Sequence, residues 1–351
     1  MQETRAVRPS ISRKSHALMA AQAELRGLLL AGTAGDKRAT DTEFDRLDKL
    51  AEVFASCGDE QSLGRVAYIR ANAYWDSFRL GAAESALVEA VGHARRSESH
   101  HDVARALESL TAVLLHGPHP VRTAVAWCEE IADGAYDDPT LKAKSLLRIA
   151  HLNAMQGRFP EAESQVEEAR TSLHEINHRH AEAVSSHEAG MVQVLAGRLE
   201  AAEAEFKTGI ETLEVMGDGA ALATSAAYLA DVLCKQGRLE EALHWTEASE
   251  ATWGNHPYGI VEWGPTRAKI QARFGHVEVA EHLGRAALRA VNHSDDILAR
   301  AHASLGLADV CTLAGKYTAS DGFLTEAADL YKAKGATVLE NMVRSRLNIG
   351  A

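Results

Sequence analysis

The segment most suggestive of chemistry is His174-Glu175-Ile176-Asn177-His178, with His180 and His187 downstream. On a continuous helix, two histidines four residues apart face the same way and can hold zinc, with the glutamate as general base. The repeat pattern described below indicates instead that a helix ends at Asn177, a residue type that tolerates the left-handed conformation found at helix ends. The two imidazoles would then diverge. We therefore expect no metal and no catalytic residue here, and a zinc-dependent hydrolase remains the alternative hypothesis.

The remaining histidines give weaker metal signals. His100, His101, His116 and His119 lie near predicted helix ends, where histidine commonly serves as a surface or capping residue. The four cysteines are far apart and form no C-x-x-C pair, so neither a disulfide framework nor a thiolate zinc site is indicated. We expect no cofactor and a reducing, cytoplasmic environment.

Small residues recur at fixed distances from seven anchor positions, which are spaced by about 40 residues. The anchors, where one helix should turn into the next, are Phe78, His119, Gly157, Gly197, Gly237, Gly275 and Gly315. Seven residues before them stand Ala71, Ala112, Ala150, Gly190, Ala230, Ala268 and Ala308. Small residues at matching offsets also follow each anchor, as two closely packed antiparallel helices require. The pattern predicts an array of helical hairpins.

These units resemble the tetratricopeptide repeat (TPR), in which small residues and a large apolar residue surround a glycine in the middle of the repeat. The resemblance covers roughly residues 64–335 and comes from repetition, as in Gly157-Arg158-Phe159 and Gly197-Arg198-Leu199. It implies an all-α, TPR-like α-solenoid: a right-handed superhelix of about seven hairpins. Because the period exceeds the roughly 34 residues of the family pattern, we expect longer helices or longer links.

The repeats should be closed by caps within a single domain. Residues 14–57 are predicted to form capping helices, 64–335 the seven repeats, and 337–349 a closing helix, while 1–13 are predicted to be a flexible N-terminus. Asp138 before Pro139, and Ser294-Asp295-Asp296, are typical of helix N-termini.

Composition narrows the class of ligand. Asp and Glu number 49 against 37 Lys and Arg, giving a formal charge of −12. This excess gives no general attraction to phosphate backbones, so we expect no nucleic-acid ligand for this chain alone. No stretch is long and apolar enough to cross a bilayer, so we expect no membrane partner.

The concave wall of the predicted array is the best candidate binding surface, because in TPR-like arrays the first helix of each unit lines it. A face that mixes charges, methionine and aromatic rings suits a peptide-binding groove. The alternative is that it is only the solvated inner face of a curved array. The candidate residues are Arg65, Tyr68, Asn72, Trp75, His151, Met155, His187, Met191, Asp231, Lys235, Lys269, Arg273, His302 and Asp309.

The segment from Trp253 to Pro265 departs from the repeat pattern. Its large aromatics Trp253, Tyr258 and Trp263 stand among glycines and prolines. It is predicted to be a stiff loop that plugs a junction between two repeats. Closure over a ligand, as in a small-molecule sensor, is the other possibility.

At a looser level, Gly117-Pro118-His119-Pro120 and the long-period repeats after it resemble the C-terminal repeat regions of large bacterial signalling ATPases and transcriptional regulators. The sequence lacks the G-x-x-x-x-G-K-[ST] phosphate loop of their motor domains. The resemblance implies a sensing or docking part that could associate with a nucleotide-binding signalling protein. We therefore predict a non-enzymatic binding protein that recognises a peptide or protein partner in its concave groove.

Overall fold

The chain folds into helices joined by short links. The computed structural model describes residues 13–31, 41–135, 138–254, 256 and 258–349, and these contain no strand. The predicted flexible segment 1–13 lies outside these residues except for Arg13. The helices are α1 (Arg13–Ala31), α2 (Asp41–Cys57), α3 (Glu60–Asp76), α4 (Leu80–Arg96), α5 (His100–His116), α6 (Val121–Asp133), α7 (Pro139–Met155), α8 (Phe159–Glu175), α9 (Arg179–Val184), α10 (Ser186–Leu195), α11 (Leu199–Met216), α12 (Gly219–Lys235), α13 (Leu239–Trp253), α14 (Gly259–Arg273), α15 (Val277–Val291), α16 (Ile297–Leu313), α17 (Tyr317–Lys334) and α18 (Thr337–Ile349).

The predicted anchors do lie in the turns between the two helices of each hairpin. Gly157, Gly197, Gly237, Gly275 and Gly315 all have φ between 73° and 86°, and Phe78 has φ 57°. This left-handed conformation favours glycine, which explains why glycine recurs there. His119 is the exception, because its turn between α5 and α6 contains two prolines and ends with Pro120 as the N-cap of α6.

The long period comes from the helices. In the first repeat, α3 and α4 have 17 residues each and are joined by only three residues. One first helix differs from the pattern, since it is divided at Ser185 into α9 and α10. The small positions are tightly packed: a Cβ added at Gly190 would lie 2.3 Å from Cε1 of Phe206. All-α hairpins with close backbones are therefore confirmed.

Capping residues define the helix ends. Asp138 accepts a hydrogen bond from the Leu141 amide at the start of α7, as predicted. Asp296 does the same for the Ala299 amide at the start of α16. Asn177 has φ 54°, and α8 ends before it at Glu175. The prediction that the helix ends between His174 and His178 is confirmed.

The array curls far enough for its last repeats to contact its first ones. The Asp295 carboxylate accepts hydrogen bonds from the amides of Leu80 and Gly81, at 2.5 and 2.7 Å. Ser294 Oγ donates to the Phe78 carbonyl at 2.9 Å. We call these bonds, with those of Lys334 described next, the closing contacts. They join residues more than 210 positions apart, so the superhelix curls back on itself and its late repeats contact its early ones; we call this closed turn of the superhelix the ring.

Lys334 completes this closure from within the protein. Its side chain is fully buried, and Nζ donates to the carbonyls of Leu114 and Gly117 at 2.9 and 2.7 Å. The Leu114 carbonyl belongs to the last turn of α5, where carbonyls lack partners within the helix. No described helix is long and apolar enough to cross a membrane.

Candidate functional site

The ring surrounds two adjoining, half-open cavities, of about 760 and 410 Å³. They share a wall, and together we call them the lumen. The shared residues are His116, His151, Met191, Tyr228, Tyr258 and Glu262. They come from α5, α7, α10, α12 and α14 and from the residue before α14. The first helices of successive repeats thus face a common interior.

Most of the candidate residues line this lumen. Trp75 and His187 lie on the larger cavity, and His151 and Met191 belong to both. The smaller cavity is further lined by Met155, Asp231, Lys235, Lys269, Arg273, His302 and Asp309. The structure brings these side chains together, and their role in binding stays a prediction.

Three candidates lie elsewhere on the first repeat. Arg65 pairs with the Asp102 carboxylate at 3.1 Å. The Tyr68 hydroxyl lies 3.3 Å from Ser109 Oγ, and its ring is covered by the Arg105 guanidinium. Asn72 lines a separate recess of about 190 Å³ beside Trp75. Arg65 and Tyr68 therefore connect α3 to α5, and their assignment to a common groove is not supported by their position.

The Trp253–Pro265 segment is mostly helical rather than a stiff loop, because α14 begins at Gly259 and continues through Pro265. Tyr258 stacks on Phe78, with ring centroids 5.0 Å apart, and on Trp75 at 6.3 Å. These partners belong to the first repeat, so Tyr258 joins the sixth repeat to the first. Trp253, at the end of α13, also packs against Tyr258, between neighbouring repeats. Trp263 is buried, with the Arg267 guanidinium over its ring.

Four buried histidines of the lumen, His116, His151, His187 and His302, have lowered pKa values and are uncharged at neutral pH. Burial, with the nearby Arg148 charge, lowers the pKa of His116 and His151 to about 3. Burial also lowers the pKa of His187 and His302 to about 4. Neutral imidazoles both donate and accept hydrogen bonds, so these side chains provide polar contacts without charge.

Most charges on the lumen wall are already paired. Arg148 pairs with Glu188, and Arg346 pairs with Asp309. Asp231 lies 2.7 Å from Lys235 Nζ and 2.8 Å from Lys269 Nζ. Burial would raise the pKa of Asp231, but the two ammonium groups outweigh it and hold this pKa well below its usual range. Paired charges fix side-chain positions before a ligand arrives.

Glu262 differs from its neighbours. Its carboxylate has no hydrogen-bond or ion-pair partner among the described residues, although it lies where the two cavities meet. Burial and the negative charge of Asp296 raise the pKa of Glu262 to about 8. A cationic group of a ligand placed beside this carboxyl group would favour its ionised form and pair with it.

Sequence reasoning missed several lumen residues. Three of them lie two positions before the small residue of their repeats: Arg148, Glu188 and Tyr228. A prediction that included this position of each repeat would have found them. Tyr331, Met342 and Arg346 come from α17 and α18 and reach the lumen because of the ring closure. No local pattern marks the latter group.

The His174–His178 pentad does not form a metal site. His174 lies in the last turn of α8, whereas His178 is the N-cap of α9 and accepts a hydrogen bond from the Ala181 amide. No group of three His, Cys, Asp or Glu side chains among the described residues is arranged to hold a metal ion. The zinc-hydrolase alternative therefore lacks its required geometry.

Comparison with known proteins identifies relatives by structure alone. No family model matches the sequence, and no curated protein matches it. A Rap protein in complex with competence and sporulation factor has a TM-score of 0.68 at 13% identity, with 95% of this chain and 89% of that chain covered. A Rap conjugation gene regulator of plasmid pLS20, in complex with the Phr* peptide, has a TM-score of 0.61 at 12% identity, with 92% and 96% covered.

A third similar structure is a signal transduction ATPase with a tetratricopeptide repeat sensor from Pyrococcus horikoshii. Its TM-score is 0.54 at 12% identity, with 97% of this chain and 55% of the ATPase chain covered. At such low identities the likeness concerns the fold. The repeat pattern, the hairpins and these structures agree that the chain is a TPR-like α-solenoid protein.

Proposed function

We propose that this protein is a non-enzymatic regulatory protein that binds a peptide inside its lumen. The observation that carries the proposal is the lumen itself, a half-open space in which aromatic, methionine, charged and neutral imidazole groups converge. Its two cavities fall within the range of about 300–1,000 Å³ typical of ligand sites. The first helices supply a rigid wall for this site.

A peptide fits this space better than a folded partner does. The two cavities, of about 760 and 410 Å³, are too small to hold a folded domain but large enough for a short extended segment. A peptide also offers amide groups that neutral imidazoles can bind, and side chains that Met155, Met191 and Tyr228 can cover. The mixed lining is the physical basis for selecting among sequences.

The similar structures support the same class of ligand. Two of them are complexes with a peptide or a signalling factor, and the third is a signalling ATPase with a repeat sensor. By analogy we propose a role in bacterial signalling or transcriptional regulation, in the cytoplasm, with a nucleotide-binding signalling protein as a possible downstream partner.

Peptide retention tests the proposal. The protein would be dialysed against a pool of unlabelled five- and six-residue peptides of mixed sequence, and retained peptides would be identified by mass spectrometry. We expect the wild type to retain a subset, and Met191→Trp, which fills the shared wall of the lumen, to lose it. Met216→Trp, on an exposed position of α11, is the matched control. Equal retention by both variants, or none by the wild type, would refute a lumen site.

A further inference from the structure

Helix α14 carries charges of both signs on one face. Glu262, Lys269 and Arg273 all line the smaller cavity. They are spaced by seven and then four residues, and a helix turning about 100° per residue places all three within an arc of about 40°. At about 1.5 Å per residue, Glu262 and Arg273 are about 16 Å apart along the helix axis.

The ionisable groups at the two ends of this row, Glu262 and Arg273, have no oppositely charged partner in the part of the chain that the structure describes. Glu262 has no ion-pair or hydrogen-bond partner among the described residues. The Arg273 guanidinium donates to the Cys234 carbonyl at 2.7 Å and forms no ion pair with a described carboxylate. Lys269, between them, is already paired with Asp231. Two complementary positions are therefore open to a ligand.

The other charged side chains of the lumen are distributed in the same direction, with acids on the larger cavity and cations on the smaller one. On the larger cavity, the acids Asp76, Glu188 and Asp218 face the single cation Arg148, and Glu262 adds a further acid. On the smaller cavity beyond Glu262, four cations face two acids: Lys235, Lys269, Arg273 and Arg346 against Asp231 and Asp309. The charge changes sign along the lumen, with Glu262 at the boundary.

We infer that the lumen binds its peptide in one orientation, with a cationic group of the peptide at Glu262 and a carboxylate at Arg273; this rests on the proposed function. The cation would be the N-terminal ammonium or a Lys or Arg side chain. Arg273 is exposed at the mouth of the smaller cavity, so the carboxylate end faces outward while the cationic end is inside. A distance of about 16 Å corresponds to about five extended residues at 3.3 Å each.

The inference is tested with mixed-sequence peptides of five and six residues, prepared with free ends, N-acetylated, or C-amidated. A second set of each lacks Lys and Arg, which separates the two sources of the cation. Dialysis and mass spectrometry would again report retention. Removing either end charge should weaken binding about ten- to a hundredfold, because hydrogen bonds to charged groups contribute about 1.5–3 kcal/mol.

Two variants assign each charge to its end. Glu262→Gln keeps the side-chain volume and should abolish the preference for cationic peptides, while the preference for a free carboxylate persists. Arg273→Gln should have the reverse effect. Glu214→Gln and Arg95→Gln, at exposed positions in α11 and α4, should change neither preference.

The possible outcomes separate the two claims. If the set without Lys and Arg is retained as well as the full set, and free and capped peptides of that set are retained equally well, peptide binding stands and the proposed polarity is wrong. The polarity is also wrong if Glu262→Gln and Arg273→Gln leave both preferences intact. If no peptide is retained in any form, the proposed function fails and the orientation fails with it.

Discussion

Replacing Asp295 with alanine should open the ring. Asp295 lies in the link between α15 and α16, but its carboxylate caps the N-terminus of α4. The N-cap residue of α4 itself, Arg79, makes no side-chain capping bond. The variant would leave the amides of Leu80 and Gly81 without this acceptor, and Leu80 is almost fully buried. The loss therefore affects groups that water reaches poorly.

The magnitude follows from these two bonds. Each hydrogen bond to a charged acceptor contributes about 1.5–3 kcal/mol, giving an upper value of about 6 kcal/mol. Water can replace part of this at the half-buried Gly81 amide, and loss of an ordinary N-cap costs about 0.5–2 kcal/mol. We expect Asp295→Ala to lower the free energy of unfolding by about 2–4 kcal/mol, a large share of the stability of a typical domain.

Denaturant unfolding followed by circular dichroism measures the stability, and small-angle X-ray scattering measures the radius of gyration. Asp138→Ala is the matched control, because Asp138 caps its own helix with a bond of 2.9 Å to the Leu141 amide. The control should lose about 1 kcal/mol of unfolding free energy and keep the wild-type radius of gyration. Asp295→Ala should lose more unfolding free energy, and its radius of gyration should increase. An Asp295→Ala variant with the stability and radius of the control would refute the view that Asp295 holds the ring closed.

Three further predictions follow from packing and charge. Gly190→Ala should destabilise by about 1–3 kcal/mol in denaturant unfolding, because the new Cβ would meet the Phe206 ring; Gly322→Ala, with open space around it, should not destabilise. Burial raises the pKa of Asp296 from 3.8 to about 7, so between those values the folded chain binds more protons than the unfolded chain, and the contribution of Asp296 to stability falls as pH rises. Asp296→Asn should therefore gain stability relative to the wild type between pH 4 and 8, and a constant difference would contradict this. A cation bound at Glu262, whose pKa is about 8 in the empty lumen, should release a proton at pH 7; calorimetry in buffers of different ionisation enthalpy should detect it in the wild type and not in Glu262→Gln.

The hairpins could be predicted from the sequence because their causes are local. A left-handed turn residue such as Gly157 or Asn177 leaves a signature at its own position, and a small residue such as Gly190 marks the helix contact it permits. The same repeat pattern correctly predicted that a helix ends between His174 and His178. These features depend on residues within one repeat or its neighbour.

The closed ring could not be predicted in this way. The Asp295 contact with Leu80 spans 215 residues, and that of Lys334 with Leu114 spans 220. They depend on the small rotation between successive repeats, added over the whole array. For the same reason the repeat pattern predicted His151 and Met191 as lumen residues but not Tyr331, which reaches the lumen only once the ring has closed.

The central claim, that a peptide lies inside the ring, is tested most directly by site-specific photo-crosslinking. A benzophenone side chain would replace Thr224 on the lumen wall or, as a control, Val215, which is 88% exposed on the outside. Each protein would be irradiated with the mixed-sequence peptide pool, and adduct masses would be read from the intact protein. We predict peptide-sized adducts at position 224 that unlabelled competitor peptides suppress, and none that can be competed at position 215. Equal labelling at both positions, or labelling at position 215 alone, would contradict the account.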